Sequence, residues 1–179
     1  PQVVYHGTDK DFNAFEMQRP TKRWTTFSED NVTSQGAFFS PSPTDAGGYG
    51  KRVIASYLNI KNPLVDPSTI AASSRTPEER TRAEKARSDA EYILEPLIYE
   101  ADGRKWIDTD NGISRTEVDP EGSWVSKALQ DNQIDWAYLD NPAVVKRMKE
   151  RGYDGVKVYE PNDEAGYSWF VTEPNQIKS

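Results

Sequence analysis

The sequence predicts an α+β domain with a mainly antiparallel sheet and a helical segment in the middle of the chain. Three observations favour this class: strand-like runs fill residues 3–64, a helical pattern follows over residues 66–151, and strand-like runs return after residue 152. The 179 residues fit one domain with a sizeable core, and 5 Trp, 9 Tyr and 6 Phe compensate for a hydrophobic content of 35%.

Three segments of the first stretch have strand patterns: residues 3–5, 36–40 and 52–60. The last of them alternates as a half-buried strand does and stops before Pro63. Between the last two strands, residues 43–49 predict one helical turn with Ser42 or Thr44 as its N-cap. The first third of the chain is therefore expected to supply short strands and one helical turn.

The middle stretch is predicted to be mainly helical. A helix start is expected at Thr76, because this capping residue precedes a proline and two acids. The helix is expected to run from Arg80 to Tyr99 and to be ended by Gly103, and the polar residues 108–122 are interpreted as a loop. Two further short helices are predicted at residues 123–130 and 142–151, the second closed by Gly152.

The last stretch predicts a terminal pair of strands. Residues 155–159 and 167–172 have strand composition, the polar residues 161–166 form a turn between them, and Pro174 ends the second strand. The strand that begins almost at once at Val3 and the abrupt end at Ser179 favour a domain cut from a larger protein.

Composition excludes several kinds of function. Cysteine is absent, so disulfides, thiolate metal sites and a cysteine nucleophile are excluded. His6 is the only histidine, which removes multi-histidine metal sites and most Ser/His/Asp triads, so no metal cofactor is expected. The net charge of -7 argues against a broad nucleic-acid-binding surface. No apolar run approaches about 18 residues, so no membrane span is predicted, and nothing demands more than a monomer.

Three motifs stand out, and each taken alone also fits a purely structural role. His6-Gly7-Thr8 closes the first strand, and glycine there permits close approach of a ligand to the backbone. Residues 36–40 with Tyr49 fit a core strand and a turn equally well. The closing run from residue 167 to residue 179 also fits a plain terminal hairpin.

Together and in this order, the motifs resemble the ADP-ribosyltransferase superfamily, in the branch typified by poly(ADP-ribose) polymerases and diphtheria toxin. The chain is most similar to the transferase domains of phage and mobile-element polyvalent proteins. The resemblance implies a split antiparallel sheet core with a helical insertion at about residues 66–151 of a single domain, residues 1–179. A cytoplasmic location is the default expectation; the alternative is a toxin or effector delivered into a host or target cell as part of a larger protein.

The resemblance implies that NAD⁺ is the substrate and that the nicotinamide–ribose bond is broken. His6 would then bond a ribose hydroxyl, and the backbone of Gly7 would hold the nicotinamide amide, with Thr8 in support. Tyr49 would stack on the nicotinamide ring with Phe38 behind it, a cation–π contact worth on the order of 0.5–2 kcal/mol. Ser40 belongs to the same cofactor-binding motif. The acceptor of ADP-ribose would be a protein or a nucleic acid; water as acceptor, or NAD⁺ binding without turnover, are the alternatives.

One position departs from the family pattern. The glutamate that usually stabilises the oxocarbenium-like transition state lies eight residues before the glutamine of the closing run, and counting back from Gln176 gives Ser168. Three explanations stay open: a weak or mono-ADP-ribosylating enzyme, an inactive or deliberately altered one, or a nearby acid that takes over. Glu164 and Glu173 are the candidates for such an acid, whereas Asp154 is interpreted as part of a structural turn.

A cationic cluster is expected in a loop after the first strand. It contains Arg19, Lys22 and Arg23. A solvated loop is one interpretation; the other is that an arginine such as Arg23 pairs with the NAD⁺ pyrophosphate or the acceptor. In the same loop, Trp24 would stack on adenine or cover the core.

Overall fold

Two antiparallel-rich sheets form the centre of the protein. The computed structural model describes residues 2–12, 14–24, 29–65, 75–109, 114–118, 136–160 and 162–178. The first sheet has the order β1-β5-β12, from Val3–Thr8, Arg52–Leu58 and Ile177–Lys178. The second has the order β4-β11-β10-β6, from Ala37–Phe39, Tyr167–Val171, Gly155–Tyr159 and Pro63–Val65. Only the β10–β6 pair within these sheets is parallel, so the predicted α+β class is confirmed.

The remaining described elements surround these sheets. A hairpin joins β2 (Arg19–Trp24) to β3 (Glu29–Ser34), and a third sheet consists of β7 (Tyr99–Ala101), β8 (Arg104–Thr109) and β9 (Ser114–Glu117). The α-helices are α1 (Pro43–Gly47), α2 (Pro77–Leu94) and α3 (Pro142–Glu150). Short 3₁₀ turns lie at Glu95–Leu97, Trp136–Asp140 and Pro174–Gln176. Among the described helices, none is long and apolar enough to cross a membrane.

Alternation along the strands gives the second sheet two buried faces. One face packs against the first sheet, through Phe39, Val171 and Trp169 on one side and Val4 and Leu58 on the other. The opposite face packs against α2 and α3, and its strands contribute the following residues: Leu64, Val156, Val158, Phe170 and Phe38. The two sheets and the helices therefore form three layers with a hydrophobic core on each side of the second sheet.

The helix starts follow their local signals. Of the two candidate caps of α1, Ser42 is the one used, since its hydroxyl accepts from the backbone N–H groups of Thr44 at 3.2 Å and Asp45 at 3.3 Å. Thr76 caps α2 in a reciprocal capping box with Glu79, as predicted. The helix predicted at residues 142–151 is confirmed as α3, which is followed by a left-handed glycine.

The expectation of a mainly helical middle was wrong for the described residues between 95 and 117, although α2 and α3 on either side are helices. Helix α2 ends at Leu94, and Pro96 lies in a 3₁₀ turn rather than in a continuing helix, because proline lacks the N–H that the helix needs. The stretch after it forms the β7–β8–β9 sheet, so Gly103 does not end a helix. Asp102 and Gly103 have φ values of 54° and 73° and form the tight turn of the β7–β8 hairpin.

Two segments that were predicted to be loops contain strands. Part of the predicted loop at residues 108–122 is strand β9, because Ile107 and Thr116 are buried cross-strand partners in the third sheet. The predicted loop after the first strand is also wrong, since Arg19–Trp24 is strand β2. The helix predicted at residues 123–130 lies outside the described residues.

Candidate active site

The two central sheets meet at one pair of residues. Tyr5 in β1 and Ser40 after β4 exchange two backbone hydrogen bonds, of 2.8 and 2.9 Å. Because hydrogen-bonding groups of alternate residues in a strand point to the same edge, the N–H and C=O of Gly7 face this junction rather than β5. The backbone donor and acceptor of Gly7 therefore lie on the same edge of β1 as the Tyr5–Ser40 bridge.

Helix α1 lies directly against Gly7. A Cβ atom at this position would be 1.7 Å from the carbonyl oxygen of Ala46 and 3.3 Å from Cβ of Tyr49. Only glycine allows this approach, which brings Tyr49 next to the backbone of β1. Tyr49 is 69% exposed, so much of this residue lies at the protein surface beside Gly7.

The register between β4 and β11 brings the second and third motifs together. Phe38 pairs with Phe170, and their rings are 4.8 Å apart. Continuing this register by two residues along each strand from Phe38 and Phe170 places Ser40 opposite Ser168. Both serines are then on the same sheet face as Phe38. Both serines are buried, at 4% and 6% exposure. Two hydroxyls and an aromatic ring therefore share the sheet face at the junction.

Two carboxylates bond serines near the end of β4, Glu164 through Ser42 and Asp45 through Ser40. The Glu164 carboxylate accepts a hydrogen bond of 2.8 Å from the Ser42 hydroxyl, which also caps α1. The Asp45 carboxylate accepts from the Ser40 hydroxyl at 3.2 Å and from the backbone N–H groups of Glu164 and Ala165, at 3.0 and 3.1 Å. The turn before β11 is therefore joined to α1, and the site carries negative charge although residue 168 is neutral.

The family model for ADP-ribosyltransferases in polyvalent proteins matches residues 1–179. The chain belongs to this family. No curated protein matches it significantly. A solved structure described as the crystal structure of an anti-CRISPR protein aligns with 15% identity and a TM-score of 0.39, over 98% of this chain and 93% of that one. A likeness this weak carries no argument about fold or function.

In this member of the ADP-ribosyltransferase family, the motif histidine is part of the core. Nδ1 of His6 lies 2.8 Å from the carbonyl oxygen of Phe38 and donates to it, which leaves Nε2 as an acceptor. Nε2 is buried and has no hydrogen-bond partner in the described structure. The ring packs edge-on against Phe12 and Phe15 and also contacts Phe39. Since α1 packs on the Gly7 side of β1, the side chains of His6 and Tyr49 lie on opposite faces of this strand, and the expected bond from His6 to a ribose hydroxyl stays a prediction.

Burial lowers the pKa of His6 below its usual value of 6.5. Below about pH 6.5 the unfolded chain takes up a proton that the folded chain does not, so this residue makes the protein less stable as the pH falls from that value. His6 is the only histidine, so its ring signals in an NMR titration are unambiguous. We expect a midpoint below 6.5; a midpoint at or above 6.5 would contradict the buried placement.

The acids of the closing segment are separated by strand β11. Glu164 lies before the strand and accepts a hydrogen bond from Ser42, whereas Glu173 lies beyond its other end, about 17 Å from residue 168 at about 3.3 Å per residue. The Glu173 carboxylate pairs with Lys149 at 2.6 Å and takes part in a reciprocal cap with Gln176. The structure thus brings Glu164 to the site and does not bring Glu173.

Of four further residues that the sequence singled out, Thr8 is located and Arg23, Lys22 and Trp24 are left untested. Thr8 is buried, and its hydroxyl accepts from the backbone N–H of Lys10 at 3.1 Å, which gives it a role in the turn after β1. The backbone of Arg23 lies in β2, but its side chain is outside the described part of the structure, as are those of Lys22 and Trp24. The expected pyrophosphate and adenine contacts remain predictions.

The structure adds two site residues that the sequence did not single out, Ser42 and Asp45. The capping pattern pointed to Ser42 only as a helix start. Asp45 is an acid in the first helical turn, a common placement that says nothing of a partner 119 residues away. No local signal identifies such a long-range contact.

Proposed function

We propose that this domain binds NAD⁺ at the junction of β1 and β4, breaks its nicotinamide–ribose bond and transfers ADP-ribose to a protein or nucleic-acid acceptor. The observation that carries the proposal is the convergence of Gly7, Tyr49, Ser40 and Ser168 at one junction, in a chain that the family model matches from residue 1 to residue 179. Three segments distant in sequence contribute these groups.

Binding would begin with the nicotinamide ring. The carboxamide of nicotinamide carries both a donor and an acceptor, and the backbone edge of Gly7 offers the complementary pair. The cationic ring would lie against Tyr49, whose contribution is on the order of 0.5–2 kcal/mol. The two contacts would orient the leaving group before any bond is broken.

In the reaction, the bond between ribose C1′ and the nicotinamide nitrogen breaks. Its electron pair leaves with nicotinamide, which becomes neutral, and positive charge develops on the ribose ring. An oxygen or nitrogen nucleophile of the acceptor then bonds to C1′ and releases its proton to solvent. In bound NAD⁺ the positive charge lies on the nicotinamide ring, and in the transition state it develops on the ribose. A fixed negative charge near the ribose therefore stabilises the transition state more than the bound substrate and lowers the barrier.

The source of that negative charge in this domain would be Glu164. The residue that usually supplies it is replaced by Ser168, whose hydroxyl can bond a ribose hydroxyl but carries no charge. Glu164 bonds Ser42, two residues from the serine that lies opposite Ser168. A carboxylate held beside the sugar rather than bonded to it would support slower turnover than a glutamate at residue 168.

Labelled NAD⁺ separates the possible outcomes. The domain is incubated with NAD⁺ labelled in the adenosine part and with a cell lysate, and free nicotinamide and labelled macromolecules are measured. Label on protein or nucleic acid supports transfer, whereas nicotinamide release without label indicates that water is the acceptor. Binding detected by calorimetry with neither product would show an NAD⁺-binding module, an alternative that the serine at residue 168 favours. Absence of binding would contradict the proposal.

Removal of the proposed stacking ring is expected to weaken NAD⁺ binding. The change Tyr49→Ala should raise the Kd about 2- to 30-fold, the equivalent of about 0.5–2 kcal/mol. Tyr57→Ala is the matched control, because Tyr57 is also exposed, at 46%, and lies four residues along β5 from the partner of Gly7. Calorimetric titration of both variants makes the comparison, and equal affinities would remove Tyr49 from the binding site.

A further inference from the structure

The carboxylate of Asp45 connects three parts of the chain. Its Oδ1 accepts from the N–H of Glu164 at 3.0 Å, and its Oδ2 accepts from the N–H of Ala165 at 3.1 Å and from the Ser40 hydroxyl at 3.2 Å. In the opposite direction, the Ser42 hydroxyl donates to the Glu164 carboxylate. The first turn of α1 and the turn before β11 are thus joined reciprocally.

Each turn also has hydrogen bonds of its own. Helix α1 is capped by Ser42, and the β10–β11 turn is closed by backbone bonds from Asp163 N–H to the Glu160 carbonyl and from Gly166 N–H to the Asp163 carbonyl. The contribution of Asp45 is to fix the position of one turn relative to the other. A site made of two separate segments needs such contacts, because its groups must be held at fixed positions relative to one another.

The connection also has an electrostatic cost. Asp163 lies next to Glu164, and one of its carboxylate oxygens is buried without a hydrogen-bond partner among the described residues. Burial raises the pKa of Asp163, and the negative charge of Asp45 raises it further. In the described residues these acids do not form a group able to hold a metal ion. The fold keeps the carboxyl groups of Asp45 and Asp163 near each other in spite of this repulsion.

We propose that Asp45 is a positioning residue that holds the Glu164 carboxylate beside Ser40 and Ser42, so that Glu164 supplies the negative charge that Ser168 lacks. This proposal rests on the proposed function, in which the ribose of NAD⁺ is the group that the negative charge stabilises. Asp45 itself touches no reacting atom; it acts through the two backbone N–H groups that it accepts from.

The test compares Asp45→Asn with Asp154→Asn. Asp154 is a matched control because its carboxylate also accepts from two consecutive backbone N–H groups, of Lys61 and Asn62 at 2.8 Å each, but it lies just before the start of β10, away from the turn. We expect faster amide hydrogen exchange at Glu164 and Ala165 in the first variant only. We also expect nicotinamide release with a kcat lower by about 10- to 100-fold, the range for loss of a supporting contact, and with little change in KM.

A double-mutant cycle with Ser168→Glu distinguishes positioning from general damage. Once a carboxylate is present at residue 168, the charge of Glu164 matters less, so Asp45→Asn should then lower kcat by no more than about 3-fold. An equal loss in both backgrounds, or unchanged exchange at Glu164 and Ala165, overturns the positioning role. A parent protein that exchanges as expected but neither binds nor cleaves NAD⁺ overturns the proposed function instead, and with it the part of Asp45 in the reaction.

Discussion

The Ser168→Glu variant is expected to release nicotinamide from NAD⁺ about 10² to 10³ times faster than the parent domain. The glutamate would place a negative charge on the sheet face that also carries Ser40 and Phe38, where the ribose of NAD⁺ is proposed to lie. A fixed charge that acts on the transition state more than on bound substrate raises kcat rather than lowering KM. The gain should therefore appear in kcat.

The matched control is Ser168→Gln, which has the same size as glutamate and no charge. Nicotinamide release is measured for both variants as a function of pH. Because residue 168 is 6% exposed, burial should raise the pKa of the new carboxyl, and the gain should grow as the pH rises through that pKa. Equal rates for the Glu and Gln variants would show that the missing charge at residue 168 does not limit the reaction. The placement of the ribose beside residue 168 would then be wrong.

The Gly7→Ala variant is expected to lose NAD⁺ binding and part of its stability. The added methyl group would lie 1.7 Å from the Ala46 carbonyl oxygen, so α1 must move away from β1 and take Tyr49 with it. Overpacking of this kind costs about 1–3 kcal/mol. For a domain of this size, that corresponds to a Tm lower by about 2 to 12 °C.

Gly47→Ala provides the comparison for this variant. Gly47 lies in the same helix, and a Cβ atom there would meet only a methyl group of Val53, at 3.9 Å. Thermal unfolding and calorimetric NAD⁺ titration of both variants measure the two effects. Wild-type affinity in a folded Gly7→Ala protein would contradict the proposal that this strand edge holds the nicotinamide amide.

The local sequence determined where most regular elements begin. The caps at Ser42 and Thr76 depend on side chains within three residues of the groups that they satisfy, so a short window contains the whole signal. Alternation in the strands near the two ends is equally local. The ordered motifs were also sufficient to suggest the family that the family model confirms.

The third sheet was missed for a different reason. Strands β7 to β9 are short and polar. Among their described side chains only Ile107 and Thr116 are buried, too few to show an alternating pattern. The Asp102-Gly103 pair was a usable hairpin signal, but a glycine after a helical pattern also indicates a helix end. Pairing across the sheet decided between these two interpretations.

The composition of the site was decided by tertiary structure alone. The sequence named His6, Gly7 and Tyr49, but strand alternation and the position of α1 put His6 on one face of β1 and Tyr49 on the other. The sequence offered Glu164 and Glu173 as equivalent acids, and the direction of β11 separated them. The sequence by itself determined the family, the motifs and the local caps. Hydrogen bonds and strand pairings between distant segments decided which of those residues meet. Ala37 and Val171, which are paired in β4 and β11, are 134 residues apart, and local sequence patterns do not encode such contacts.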